Sequence, residues 1–230
     1  MLKSILDYIF PPRCTFCGKL TGGRIRYQVC DSCMKKLPYV KENFYFAVRD
    51  LIKNGYIDEV VCVFEYTGIV KHSLIKYKFY NKGSYYKTYA DMIFDKINNT
   101  EKKNSFDMII SIPLHRKRKA VRGYNQAYLI SKALSQLMEI PEKSSLIKRK
   151  YNTKPQSILS GKERLKNIKN AFDLQDRSEI KGKRILIIDD IMTTGSTLNE
   201  LGKLLKSKGA LKVVGAVVAS GKKFGKRSWK

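Results

Sequence analysis

The chain has 230 residues, 43% of them hydrophobic, and a formal net charge of +26. That length holds one ordinary domain and a small appendage, and the hydrophobic share is enough for a packed core. No apolar run approaches the ~18 residues of a spanning helix, which excludes a transmembrane segment. Charge of this size bears on partners rather than fold: phosphates, nucleic acid or an anionic membrane surface. Lysine greatly outnumbers arginine, so general lysine enrichment is the competing explanation. The charge is nevertheless clustered, at Arg116–Lys119 with Arg122, at Lys148–Lys150 and in the 222–230 tail.

At the N-terminus, Leu2, Ile5, Leu6 and Ile9 fall on one helical face before Pro11 and Pro12 stop the pattern. Asp7 interrupts the apolar residues and no small-residue cleavage site follows, so this is not a signal peptide. It is expected to pack on the domain, with loose membrane contact as the alternative. Cys14-Thr15-Phe16-Cys17 and Cys30-Asp31-Ser32-Cys33 follow as two C-x-x-C pairs. Each tight turn brings two thiolates to one tetrahedral ion, and two turns complete four sulfur ligands with no position left for water. That spacing predicts a structural zinc held by Cys14, Cys17, Cys30 and Cys33. A redox role would want one C-x-x-C beside a βαβ unit, and two disulfides would want an oxidising compartment. Cys62 lies in an apolar run and reads as a core residue.

The predicted boundary falls near residue 55, giving a ribbon over 1–55 and a main domain over 56–230. Residues 58–66 alternate like a strand. Lys71 to Tyr89 interleaves lysines, among them Lys76 and Lys78, with Tyr77 and other aromatic rings. Cations among rings suit single-stranded nucleic acid, a charged track beside flat faces for bases. An amphipathic helix with buried rings and solvated lysines explains the same pattern.

A second strand over 107–112 runs into the very basic loop 113–127, which holds His115, Arg116, Arg118, Lys119 and Arg122. If this strand is parallel to the later one described below, the loop shares its rim and could neutralise a large anion such as pyrophosphate. His115 has no identifiable acid–base partner and reads as solvated. A helix is predicted over 127–138, a strand over 144–148, a mobile polar segment around 153–167 and a short strand at 171–174. The end of the chain, with Trp229, reads as a frayed tail.

The chain is organised around Ile185 to Thr197. Four large aliphatics, Ile185 to Ile188, read as a strand buried on both faces, and they end in Asp189 and Asp190. The turn Thr193-Thr194-Gly195-Ser196-Thr197 follows, then a helix with Leu198, Leu201, Leu204 and Leu205 on one face, then another apolar strand over 213–218. Ligands of such strand–turn–helix units sit at the carboxyl ends of the strands, where helix N–H groups meet an anion. The hydroxyls, amides and Gly195 make a cradle for one phosphate. The two carboxylates would repel phosphate but suit vicinal hydroxyls or a hydrated cation. The spacing is neither a P-loop nor G-x-G-x-x-G.

Two acids followed by T-T-G-S-T resemble the 5-phosphoribosyl-1-pyrophosphate (PRPP) loop of type I phosphoribosyltransferases. Three motifs, in one order, widen the resemblance: paired C-x-x-C, P-L-x-x-x-R-x-x-x-R-G-Y-N-Q-A from Pro113, and I-I-D-D-I-x-T-T-G-S-T from Ile187. With T-K-P-Q from Thr153 and E-R-x-x-N from Glu163 between the last two, nearly the whole chain resembles the ComF family of competence-associated, phosphoribosyltransferase-like proteins. The resemblance implies an α/β type I phosphoribosyltransferase fold, a parallel sheet flanked by helices, with a small N-terminal zinc ribbon.

It further implies that Asp189 and Asp190 bind the ribose hydroxyls and that Thr193, Thr194, Gly195, Ser196 and Thr197 hold the 5-phosphate. By the same resemblance Ser111, Pro113, Leu114, His115 and Arg116 lie where the pyrophosphate loop is placed. The expected role is cytoplasmic handling of single-stranded DNA during uptake for natural transformation, with partners in the uptake machinery and a peripheral place at the inner membrane. Lys76, Tyr77, Lys78, Arg118, Lys119 and Arg122 are the nucleic-acid candidates. The alternatives are an active transferase that passes ribose 5-phosphate from PRPP, with magnesium, to a nitrogen acceptor, and a PRPP-sensing regulator without turnover. The chemical task of Arg122–Gln126 does not follow from the sequence.

Overall fold

Ile185 to Ile188 form the middle of β5 (Arg184–Met192), and all four side chains are fully enclosed. Helices cover both faces of the sheet at this point, so an uninterrupted aliphatic run is what the strand requires. The computed structural model describes residues 11–22, 26–41, 48, 51–53, 55–99, 106–151 and 169–221. The readings of 1–10, 153–157, 163–167 and 222–230 lie outside them.

β5 pairs on one side with β6 (Lys212–Ser220) and on the other with β2 (Met108–Ser111), and β1 (Glu59–Glu65) pairs with β6. The order is β1-β6-β5-β2 and every pairing is parallel. A separate antiparallel pair, β3 (Ile147–Arg149) with β4 (Phe172–Leu174), stands beside it. The helices are α1 (Asp31–Met34), α2 (Gly68–Phe79), α3 (Tyr86–Asn98), α4 (Arg116–Arg122), α5 (Gln126–Met138) and α6 (Ser196–Ser207).

Alternation along β5 sorts the core into two layers. Leu186 and Ile188 join Val70, Leu74 and Tyr77 of α2, Tyr89 and Ile93 of α3 and Ile130 and Leu134 of α5. Ile185 and Ile187 join Leu198, Leu201 and Leu205 of α6 with Ile147 and Phe172 of the small β pair. The first layer continues into the ribbon. Phe16 meets Phe64 edge-on at 5.9 Å, Thr15 Oγ1 shares a 2.8 Å hydrogen bond with Thr88 Oγ1, and Ser73 Oγ donates to the Thr15 carbonyl at 2.7 Å. Beyond the ribbon, Val40 N donates to the Val63 carbonyl and Glu65 N to the Pro38 carbonyl. The chain after the ribbon thus runs antiparallel along β1, and ribbon and main domain share a continuous core.

Four local readings differ from the sequence expectation. Lys71 to Tyr89 is not one stretch: α2 ends at Phe79, Asn81 takes a positive φ of 51°, and a 3-10 turn over Gly83–Tyr85 starts α3. The basic loop contains α4, none of whose residues is buried, so it carries no apolar stripe to announce it. Residues 144–146 form a 3-10 turn that leads into a shorter strand, β3. β5 runs on through both carboxylates to Met192, because β6 is long enough to pair with it as far as Ser220.

Candidate functional site

The two carboxylates stand on consecutive residues of an extended strand, so they leave it toward opposite faces. Asp190 follows Leu186 and Ile188 toward α2. It is 6% exposed, and its Oδ2 lies 3.0 Å from Lys78 Nζ at the end of that helix. Tyr66 and Tyr77 line the same side: burial, and then the Asp190 charge, raises both phenols. Asp189 turns its Oδ1 back to accept from Asp190 N at 2.9 Å. Burial, and the negative charge of Asp190 beside it, push Asp189 up to about 7 against the weaker pull of Lys78. The pair is therefore poised between one negative charge and two, and a partner that donates hydrogen bonds or brings positive charge favours the second.

The turn after β5 gathers four hydroxyls, at Thr193, Thr194, Ser196 and Thr197. Gly195 caps α6 with a left-handed φ of 81°, where a side chain is disfavoured, and as a glycine it offers the helix no side-chain cap of its own. A Cβ on Gly195 would lie 2.5 Å from Leu51 Cδ2, so close packing from below also calls for glycine. Thr194 Oγ1 accepts from Ser196 N at 3.3 Å and shares a 2.9 Å hydrogen bond with Ser196 Oγ. A left-handed residue opening a helix aims successive N–H groups into one concavity, which suits an anion.

Cations approach Asp189 from the other side. Arg149 on β3 is largely buried; burial, then the neighbouring Arg118, lowers its guanidinium to about 10, while Asp189 opposes this. Its Nη1 reaches the Pro113 carbonyl at 3.5 Å, and its guanidinium lies 5.7 Å from the centre of the Phe172 ring. Arg118 is itself lowered by burial and by Arg122. Two guanidiniums thus converge between the loop after β2 and the acid pair. Arg149 was not picked out by the sequence reading.

The remaining candidates have definite places. Ser111 is buried, sharing a 2.7 Å hydrogen bond with Ser144 Oγ, which also accepts from Ser111 N at 2.6 Å. Pro113 and Leu114 are half-buried, and Arg116 and Lys119 are exposed. His115 caps α4, its Nδ1 accepting from Lys117 N at 3.3 Å. Tyr77 is fully enclosed, packed edge-on to Tyr89 at 5.4 Å, so its ring presents no face to a base. Lys78 turns inward to Asp190, while Lys76 is exposed.

Arg122 to Gln126 acquires a task. Asn125 Oδ1 caps α5 by accepting from Ala127 N at 3.1 Å, and its Nδ2 donates to the Ile112 carbonyl at 3.0 Å. Tyr77 donates its hydroxyl to the Gln126 carbonyl at 2.8 Å, and Tyr124 donates its own to the Tyr77 carbonyl. Arg122 lies 5.0 Å from the centre of the Phe79 ring and donates to Gln126 Oε1 at 3.3 Å. The motif therefore locks the loop after β2 to the end of α2, and this places Lys78 at Asp190.

The four ribbon cysteines converge. Their sulfurs lie within 4.8 Å of one another, with Cys17 and Cys30 at 3.7 Å. Four thiolates at about 2.3 Å from a tetrahedral zinc would sit about 3.8 Å apart, so the set fits that ion. Burial raises the Cys14 thiol, but amides of Cys17, Cys30 and Phe16 aimed at its sulfur outweigh this and bring it down to about 7. Among the described residues no other group of cysteine, histidine or acidic side chains has such geometry.

Two family profiles match, the Phosphoribosyl transferase domain over residues 81–229 and the Double zinc ribbon domain over residues 5–44. Only four cysteines fall in the second span, enough for one four-sulfur site. Competence protein F of Haemophilus influenzae is 32% identical over 84% of this chain and 80% of its own length. Competence protein ComFC of Bacillus subtilis is 27% identical over 90% of this chain and 75% of its own. The DNA utilization protein YhgH of Escherichia coli O157:H7 is 40% identical over 46% of each chain. A purine phosphoribosyltransferase from Pyrococcus horikoshii overlays at a TM-score of 0.37 with 20% identity, over 57% of this chain and 72% of its own. With four cysteines in a ribbon, a parallel sheet flanked by helices and relatives that align along most of its length, the chain belongs to the ComF family, an N-terminal zinc ribbon joined to a type I phosphoribosyltransferase fold.

Proposed function

We propose that this chain is a competence protein that binds PRPP at the β5–α6 turn and handles single-stranded DNA during its uptake, with a structural zinc in the ribbon. The observation that carries the PRPP reading is the meeting, at the carboxyl end of β5, of the Asp189–Asp190 pair and a glycine-capped turn of hydroxyls. A sugar phosphate needs that combination: carboxylates accept from its vicinal hydroxyls, and N–H groups with hydroxyls surround its phosphate. Thr193–Thr197 take the 5-phosphate, while Arg118 and Arg149 face the diphosphate. Where magnesium arrives with PRPP, the two carboxylates are the hard oxygen donors available to it, and the ion would neutralise charge on the diphosphate. The DNA reading rests on the net charge and on the names of the relatives, competence protein and DNA utilization protein. A cytoplasmic place beside the inner membrane goes with that role; no described helix is long and apolar enough to cross a membrane.

The Lys78–Asp190 pair favours a sensing version of this function over turnover. A ribose hydroxyl that takes Asp190 Oδ2 displaces Lys78 from it, which links occupancy of the turn to a cation on α2. In a turnover version a nitrogen nucleophile would bond to C1 as the C1–O bond to pyrophosphate breaks, pyrophosphate leaving with the electron pair and the nitrogen losing its proton to water.

Titration calorimetry of the zinc-loaded chain with PRPP and magnesium, with and without an oligo-dT strand, tests the proposal. Micromolar to millimolar PRPP binding that Asp190→Ala weakens is expected; absence of binding at millimolar PRPP removes the reading. Sensing predicts that PRPP changes DNA affinity by the factor by which DNA changes PRPP affinity. Pyrophosphate release above spontaneous decay would establish turnover instead.

A further inference from the structure

A cleft of about 1270 Å³ opens between the ribbon and the α2–α3 corner, away from the β5–α6 turn. Small-molecule pockets run to roughly 300–1,000 Å³, so this open cleft has room for an extended ligand. Arg13 and Arg26 come from the ribbon, Lys76 from α2, Lys82 from the connecting turn and Lys87 from α3, against the single acid Asp91. Arg26 pairs with Asp95, but Arg13, Lys76, Lys82 and Lys87 have no ion-pair partner among the described residues. Burial raises the Asp91 carboxyl, against the pull of Arg26 and Lys87 beside it, so this one acid is outnumbered by the surrounding cations.

The reason for this crowding lies in the helices. Val70, Ser73, Leu74 and Tyr77 take the buried side of α2, which leaves His72, Ile75 and Lys76 facing the ribbon. On α3, Thr88 is consumed by Thr15, so the flanking Lys87 and Asp91 line the cleft. Docking of the ribbon therefore brings together cations from sequence positions more than seventy residues apart. Among the described residues these cations outnumber the acids beside them, an excess of charge that suits a polyanion, and the lining offers flat faces as well. Tyr80, 65% exposed, and the half-buried Tyr85 stand among the lysines.

We infer that this cleft is the track for a single strand of nucleic acid, its phosphates along Lys76, Lys82 and Lys87 and a base against Tyr80. Charge alternating with an accessible ring is the chemistry of sequence-tolerant strand binding. A double helix offers no unstacked base for the tyrosine, and a membrane would need a broad basic face rather than a cleft. The inference rests on the DNA part of the proposed function and supplies its location, which differs from most of the residues the sequence singled out: Lys76 belongs to it, while Tyr77 and Lys78 face the other way.

The test is fluorescence anisotropy of a labelled oligo-dT strand with the full zinc-loaded chain across a salt series. Two triple variants are compared: Lys76→Glu with Lys82→Glu and Lys87→Glu, and a control with the same charge change, Lys132→Glu with Lys181→Glu and Lys203→Glu. All six lysines are exposed, so both variants should fold, as zinc content and melting temperature will show. The cleft variant is expected to bind roughly tenfold weaker or worse, with a salt slope flatter by about 2, or 0.7 per lost phosphate contact; the control should stay within about threefold. Equal losses in the two variants overturn the cleft, because net charge alone would then explain binding. Unchanged binding in the cleft variant overturns it while leaving the DNA reading standing. If the unmodified chain fails to bind at low salt, that reading and the cleft fall together.

Discussion

Replacing Lys78 by methionine isolates the pair on which the acid site depends. The substitution keeps the length and apolar stem of the side chain but leaves Asp190, 6% exposed, with no cation and with Asp189 beside it. Removing one partner of a buried pair costs about 3–5 kcal/mol, because the charge left behind stays out of water. The Lys78 side chain keeps a fifth of its surface exposed, so water already reaches the pair and the lower end applies, about 3 kcal/mol. At about 2–4 °C per kcal/mol for a chain of this length, the melting temperature at pH 7.5 should fall by roughly 6–12 °C. The loss should shrink as pH falls below about 7, since a proton on Asp189 removes the like charge that stands beside the unpaired Asp190. In an Asp190→Asn background the same substitution should cost almost nothing, and the double-mutant cycle reads the coupling directly. Differential scanning calorimetry of the four proteins settles it. A drop below about 2 °C, or an equal drop in both backgrounds, would refute the view that Lys78 neutralises a buried acid.

Because Asp189 holds its proton more tightly folded than unfolded, stability should decline as pH rises from the ordinary carboxylate value near 4 toward about 7 and level off beyond. Urea midpoints of Asp189→Asn should lack that decline. Asp107 has the opposite sign: Arg184, through side-chain and backbone hydrogen bonds, holds it down at about 2, so its contribution is present above pH 4 and lost as pH falls through 2. Asp107→Asn should remove the acid-side part of the stability profile. Gly195→Ala should cost about 1–2 kcal/mol from its left-handed backbone alone, and more if Leu51 cannot give way. PRPP titration of that variant should show weaker binding. Zinc analysis should find one ion per chain, and chelation should lower the melting temperature of the whole protein in one transition, since Cys14 and Cys33 belong to the shared core.

What could be read from the sequence was local. The aliphatic run before Asp189 and the thiol spacing each encode their geometry within a few residues, so strand, turn and ribbon followed directly. Lys78 was read as a nucleic-acid candidate, with a solvated lysine as the alternative, although its helix held the signal for an inward place: Val70, Leu74 and Tyr77 repeat at four and three residues and are all buried, and Lys78 falls on the next position of that stripe. Arg149 was hidden by its neighbours. Between Lys148 and Lys150 it reads as one more surface charge, yet the period-two pattern that buries Ile147 turns Arg149 inward as well and Lys148 outward. The cleft could not have been read at all, because Arg13 and Lys87 meet only once Phe16 has docked against Phe64 and Tyr89.

α2 belongs to both sites: Lys76 enters the cleft, and two residues later Lys78 holds the acid pair. A helix so placed could carry a signal by moving, but the bonds around it argue otherwise. Tyr77, between the two lysines, is fully enclosed and fixed at both ends, its hydroxyl to Gln126 and its carbonyl by Tyr124, while Ser73 is fastened to the ribbon. Shifting α2 would break all three contacts and open a packed core, a cost of several kcal/mol against the 1–3 kcal/mol typical of coupling between sites. Rotating the Lys78 side chain away from Asp190 breaks none of them. Any communication between a sugar phosphate at the turn and a strand in the cleft would therefore travel as a change of charge across one turn of a fixed helix. Such a signal fades with added salt, whereas a displacement of the helix would persist.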